Sequence, residues 1–160
     1  SASACSVRWT AFCERLSHCH TSRPLRMTSD SPSVPSRAMR ILSGPEYQIL
    51  HNQGHRDGKA PITSAGSNYA VNPPSKDLTR PVGEWNEGRL VARGNHVEHW
   101  LNGEKVVEYE IDSPDWLERV KASKFAKLAN YGRIKRGYIA LQDHGDVVSY
   151  RNIKIKVLGS

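Results

Sequence analysis

His96-Val97-Glu98-His99-Trp100-Leu101-Asn102-Gly103-Glu104-Lys105-Val106-Val107-Glu108-Tyr109-Glu110-Ile111 reads as two extended runs joined by Asn-Gly. That pair suits a type I′ turn, in which both central residues take positive φ. The sequence therefore predicts a hairpin of His96–Leu101 against Lys105–Ile111. Working outward, Trp85 to Gly94 predicts a strand with Leu90 and Ala92 on one side and Arg89 and Arg93 on the other. Glu46-Tyr47-Gln48-Ile49 alternates in the same way and predicts another strand, and Ser67 to Val71 a short one. Residues 51–68 and 72–83, rich in Gly, Asn and Pro, predict loops. Ser113-Pro114-Asp115-Trp116 predicts a helix start: a serine cap, proline at the first position, and an acid at the positive end of the dipole. The helix should end near Ser123, with strands at Gly137–His144 and Val147–Leu158 after it. Short strands, loops and one helix predict an all-β antiparallel sandwich or jelly roll.

The chain has 160 residues, about one domain. No apolar run approaches the roughly 18 residues that span a bilayer, so no membrane partner is expected. The net charge of +7 is divided. The first 44 residues hold six arginines against Glu14 and Asp30, and the remaining +3 is scattered. Arg133, Lys135 and Arg136 form the one tight basic cluster, which a solvated turn explains. With no accompanying motif, nucleic acid is not an expected partner. Cys5, Cys13 and Cys19 are odd in number and lack paired CxxC spacing, so neither a disulfide framework nor a zinc site follows. Residues 1–43 are rich in Ser, Arg and Pro and read as a disordered or unrelated segment, or one of transit-peptide composition. The domain is expected to occupy 44–160.

Period-2 parity selects candidate polar residues. Gln142 and His144 lie opposite Ile139 and Leu141, which suits ligand hydrogen bonding and acid/base work or, equally, a solvated sheet face. Glu46 and Gln48 stand in the same relation to Tyr47 and Ile49. Asp143 has core-side parity near a strand end. His99 shares parity with Val97 and Leu101, as a core histidine would. His51, His55 and Asp57 sit in a loop, where their spacing carries no metal geometry, and read as a polar surface. Glu84 and Asn86 open a strand, where an Asn side chain often organises the backbone. Trp85, Trp100 and Trp116 suit packing more than sugar stacking. Tyr69, in a loop, is the better sugar platform.

Several of these segments, in order, resemble the 3-keto-disaccharide hydrolase family. They are Gly44 to Leu50, His55-x-Asp57, Gly83 to Glu87, Gly94 to Gly103, Ser123-Lys124-Phe125-Ala126-Lys127, Gly137 to Gly145, and Arg151 to Ile155. The resemblance covers the C-terminal two-thirds of the family's domain. His51 stands where Asp is usual and Tyr138 where His is frequent. It implies a concanavalin-like, laminarinase-related jelly-roll sandwich, incomplete here, with one helix near 113–123. It also implies a carbohydrate-active hydrolase or lyase for 3-keto-glycosides. A C3 carbonyl acidifies the C2 hydrogen; a base removes it, the enolate is stabilised, and the C1 substituent leaves. Such chemistry calls for a base near working pH, donors or a cation at the oxygen, and admits a divalent metal. The candidate catalytic residues are His144, Glu46 and His99, with Gln48, Gln142, Tyr69, Asn86 and Asp143 as sugar contacts. The expected partner is a carbohydrate in an extracytoplasmic setting, although no signal peptide is visible. A non-catalytic carbohydrate-binding module and an inactive fragment of the enzyme are the alternative readings.

Overall fold

The computed structural model describes residues 5–13, 44–134, 139, 141 and 148–158, the first of these as backbone only. Five strands make one sheet: β1 (Cys5–Cys13), β2 (Trp85–Arg93), β3 (His96–Leu101), β4 (Glu104–Glu110) and β5 (Val148–Val157). Their spatial order is β4-β3-β2-β1-β5. The predicted antiparallel pairing holds for β2, β3 and β4, whereas β1 runs parallel to both β2 and β5. The β3–β4 turn is as predicted, with φ of 51° at Asn102 and 90° at Gly103. The α-helix among the described residues, α1 (Pro114–Ala122), starts at the predicted cap, where Ser113 Oγ accepts from Trp116 N at 3.1 Å. The all-β class with one short helix therefore stands. No helix among the described residues is long and apolar enough to cross a membrane.

Three expectations need correction. Residues 1–43 were expected outside the packed domain, yet Cys5–Cys13 lies between β2 and β5. The alternation of Cys5, Val7, Trp9, Ala11 and Cys13 against Ser6, Arg8 and Thr10 is the strand signal within that Ser- and Arg-rich segment. Gly44 to Leu50 forms no laddered strand. It is an extended segment held to the next loop by Tyr69 N–Glu46 O, Gln48 N–Ser67 O and Gly66 N–Gln48 O, at 2.9–3.0 Å. Ser67 to Val71 is a tight turn in which Val71 N and Asn72 N both donate to Asn68 O at 2.9 Å, with Ala70 at φ 60°. The predicted strand Gly137–His144 falls mostly outside the described residues.

One face of β3 and β4 carries the core. Val97, Leu101, Val107 and Tyr109 are buried there with Val71, Trp116, Phe125 and Tyr131. Residues 44–84, α1 and the turn after it cover this face. Aromatic rings tie the layers in a continuous row: Tyr47–His99 (4.7 Å between centroids), His99–Tyr109 (5.6 Å), Tyr109–Trp116 (5.1 Å), Trp116–Tyr131 (5.8 Å) and Tyr131–Phe125 (4.3 Å). Offset and edge-on rings at these spacings add attraction beyond their buried area.

His99 is the polar member of that row and is 1% exposed. Its Nδ1 donates to Gly66 O at 3.0 Å, which leaves Nε2 to accept from the Tyr109 hydroxyl at 3.4 Å. Gly66 has φ of +83°, and a Cβ there would lie 3.3 Å from Val106 Cγ2. Glycine thus lets the loop backbone reach the imidazole. Burial pushes the His99 pKa down to about 4, against the hydrogen bonds to Gly66 and Ser67 that favour the charged ring.

Two tests follow from this architecture. Amides within Cys5–Cys13 should show hydrogen-exchange protection comparable to β2; exchange at the rate of an unstructured peptide would remove β1 from the sheet. The His99 pKa is lower in the folded than in the unfolded chain. Its contribution is therefore constant above about pH 6.5 and is lost as pH falls towards 4. Between those limits acid should cost the fold up to about 3 kcal/mol that His99→Gln no longer loses. Parallel pH–stability curves for the two proteins would contradict a neutral buried ring.

Candidate functional site

Glu46, Asp57, Tyr69 and Lys124 come from four separate loops and lie in electrostatic reach of one another, and Tyr131 of the aromatic row is a neighbour of Glu46. Glu46 lies in the extended segment, and its carbonyl is bonded to Tyr69 N. Asp57 lies in a short 3-10 turn, Arg56–Lys59, whose start is fixed by His55 Nδ1 accepting from Asp57 N at 3.1 Å. The Tyr69 hydroxyl donates to Asp57 Oδ2 at 3.2 Å. Lys124 follows α1, where Ser123 Oγ accepts from Phe125 N at 3.0 Å and donates to Val120 O at 2.8 Å. Those bonds hold the backbone on either side of Lys124. Its ammonium stands 4.0 Å from the Tyr69 ring centroid and 5.2 Å from that of Phe125.

The electrostatics follow from this packing. Burial pushes the Glu46 carboxyl above its ordinary value; Lys124 pulls it back and Asp57 adds to the rise. Burial likewise raises the Tyr69 hydroxyl, and the neighbouring Asp57 raises it further. The Tyr131 hydroxyl is raised by burial and by Glu46, and it has no hydrogen-bond partner among the described residues. A carboxylate made more basic, with a cation close by, is equipped to accept a proton from a carbon acid.

The other predicted residues are placed elsewhere. Gln48 is 1% exposed, so the alternation that separated it from Tyr47 did not bring it to a solvated face. Its Oε1 accepts from Ile49 N at 3.2 Å, while its Nε2 has no partner among the described residues. Gln48 and Asn86 line one crevice with Leu50, Gly66, Thr79 and Leu101. The Asn86 carbonyl accepts from Arg80 N (2.9 Å) and Asn102 Nδ2 (2.8 Å) and so braces the β3–β4 turn. His99 lies beneath the cluster in the core. Tyr69 is partly buried against the core and carries the Lys124 ammonium over its ring. Gln142, Asp143 and His144 lie outside the described residues. Trp116 is core, and Trp100 and Trp85 each carry an arginine over the ring, Arg89 and Arg151, both at 3.8 Å.

Sequence reasoning gave Lys124 no role and read Asp57 as polar surface. The available signal was Lys124 beside Phe125 just past a predicted helix end, which fixes an otherwise free cation. Among the described residues, the one group with metal-type spacing is His96, Glu98 and Glu108. It lies on the opposite face of the sheet, where the Lys105 ammonium already contacts Glu108 at 2.6 Å and Glu98 at 3.7 Å. His51, His55 and Asp57 form no such group there.

Comparison with known proteins agrees with this arrangement of segments. The chain is 37% identical over 130 residues to a 3-keto-disaccharide hydrolase of Bacteroides thetaiotaomicron, a match covering 73% of the chain and 45% of that protein. The fold is similar to a crystal structure from Parabacteroides distasonis described as a candidate glycosyl hydrolase. There the identity is 30% and the TM-score 0.53, over 67% of the chain and 51% of the other. The chain thus spans about half the length of these relatives. The sequence profile of the 3-keto-alpha-glucoside-1,2-lyase-like domain matches residues 28–156, beginning upstream of the boundary expected at residue 44. The chain belongs to the 3-keto-alpha-glucoside-1,2-lyase-like domain family.

Proposed function

We propose that this chain cleaves glycosides oxidised at C3, through proton abstraction next to the carbonyl. The observation that carries the reading is Glu46: a half-buried carboxylate made more basic by its surroundings, with a lysine ammonium close by. A base takes the C2 proton, and the C–H electron pair becomes the C2=C3 bond of an enolate. When the oxygen pair re-forms the C3 carbonyl, the C2=C3 pair moves to make C1=C2, the C1–O bond breaks, and the C1 substituent departs with its electrons and takes up a proton. Addition of water to the resulting enone completes hydrolysis.

Glu46 is the base within the described residues, and His144 is a second proton-transfer group, the one its parity and the family resemblance favour. Tyr69, in a loop beside Glu46, is the sugar contact. His99 is buried and its basicity is depressed, so its part is to hold the Glu46-bearing segment on the sheet.

Turnover of a 3-keto-glucoside by wild type, Glu46→Gln and His144→Ala tests this. Loss of a general base costs typically about 10²–10⁴-fold, and both variants should fall in that range with unchanged melting temperature. Because Glu46 acts ionised and its pKa is raised, the acid limb of kcat/KM should lie above the ordinary glutamate range. Wild-type rates in Glu46→Gln would remove Glu46 as base. Binding of the sugar by wild type without conversion would favour a carbohydrate-binding module instead.

A further inference from the structure

We propose that Lys124 is the group that holds the developing oxyanion, its ammonium facing the C3 oxygen as Glu46 takes the C2 proton; this rests on the reading above. The first ground is the way its ammonium is held. Among the described residues Lys124 makes no carboxylate contact at salt-bridge distance, and Glu46 is an acidic neighbour at longer electrostatic range. What holds it instead is the face of Tyr69 at 4.0 Å and, farther off, Phe125. An aromatic face attracts a cation through its quadrupole without neutralising it. The positive charge is fixed in place and remains available to an anion.

The second ground is its position relative to the base. Tyr69 carries Lys124 on its ring and bonds the Glu46 carbonyl through its own N–H. Its hydroxyl is tied to Asp57. One aromatic residue therefore links the backbone segment that bears the carboxylate to the cation. The influence of Lys124 on the Glu46 carboxyl shows the two to be in electrostatic reach. Proton removal from C2 pushes the carbonyl π pair onto the C3 oxygen. A cation already in place stabilises that new charge without rearranging at the moment of reaction.

The test measures enolisation alone, without requiring the C1 bond to break. A 3-keto-glucoside is incubated in D2O with the chain, and loss of the C2 proton signal is followed by NMR after subtracting the protein-free rate. Wild type, Lys124→Met, Lys124→Arg and Glu46→Gln are compared across substrate concentration, with thermal melting as the control for folding. Lys124→Met should slow saturated exchange by about 10²–10³-fold, the range for losing one oxyanion donor. The half-saturating concentration should change far less, and Lys124→Arg should recover part of the rate. Wild-type exchange in Lys124→Met, or a loss confined to half-saturation, would overturn the oxyanion role while leaving the proposed function intact. A wild-type chain with no exchange above background would overturn the proposed function, and this inference with it.

Discussion

The hydrogen bond from a buried, neutral imidazole to a glycine carbonyl fixes how the loops lie on the sheet. His99 projects from the middle of β3 and meets Gly66 at 3.0 Å. Gly66 N is bonded in turn to Gln48 O. Through that one carbonyl and one amide the sheet sets the height of the Glu46–Leu50 segment. Tyr47 adds a second tether, stacking on His99 and donating to Trp100 O at 2.9 Å. A buried ring must be fully hydrogen-bonded and neutral to be tolerated there, since an unmet polar group or a charge in the core is costly. Both ring nitrogens are satisfied, and the lowered basicity is the cost of the charged form in that position.

From His99 the aromatic row carries the same constraint sideways to α1 and on to Phe125, next to Lys124. The site's carboxylate and cation are thus fixed from opposite ends of one packed row. Glu46 is positioned through Gly66 and Tyr69, and Lys124 through Trp116, Tyr131, Phe125 and the Ser123 hydrogen bonds. The row also explains why loop residues can form a site at all. Loops bear functional groups well when a rigid layer underneath sets their spacing. Burial raises the Glu46 pKa, while the neighbouring ammonium pulls it back down.

Much of the sheet was legible because its signals are local. Asn102-Gly103 specifies its own turn, Ser113-Pro114 its own helix start, and the alternation in Trp85–Arg93 its own strand. Residues whose structure depends on distant partners were not legible. Glu46 to Ile49 alternates like a strand, but its hydrogen bonds go to the turn at Ser67–Tyr69, so no ladder forms. Parity put Gln48 on a polar face, but a loop segment is covered by whatever folds over it, and Gln48 is buried. Val7, Trp9 and Ala11 carried a strand pattern masked by the Ser- and Arg-rich composition around them. The candidate site was legible in half: Glu46 and Tyr69 stood out by residue type and place. Asp57 and Lys124 acquire meaning only when Tyr69 brings them together, which no spacing in the chain encodes.

The central claim is that Glu46 and Lys124 form one electrostatic unit on the Tyr69 platform. A pH titration of the Glu46 side-chain carboxyl carbon by NMR, in wild type and in Lys124→Met, tests it directly and requires no substrate. The account predicts a Glu46 pKa above the ordinary glutamate value in wild type, rising further when the ammonium is removed. A Glu46 that titrates in the ordinary range and does not respond to Lys124→Met would contradict it.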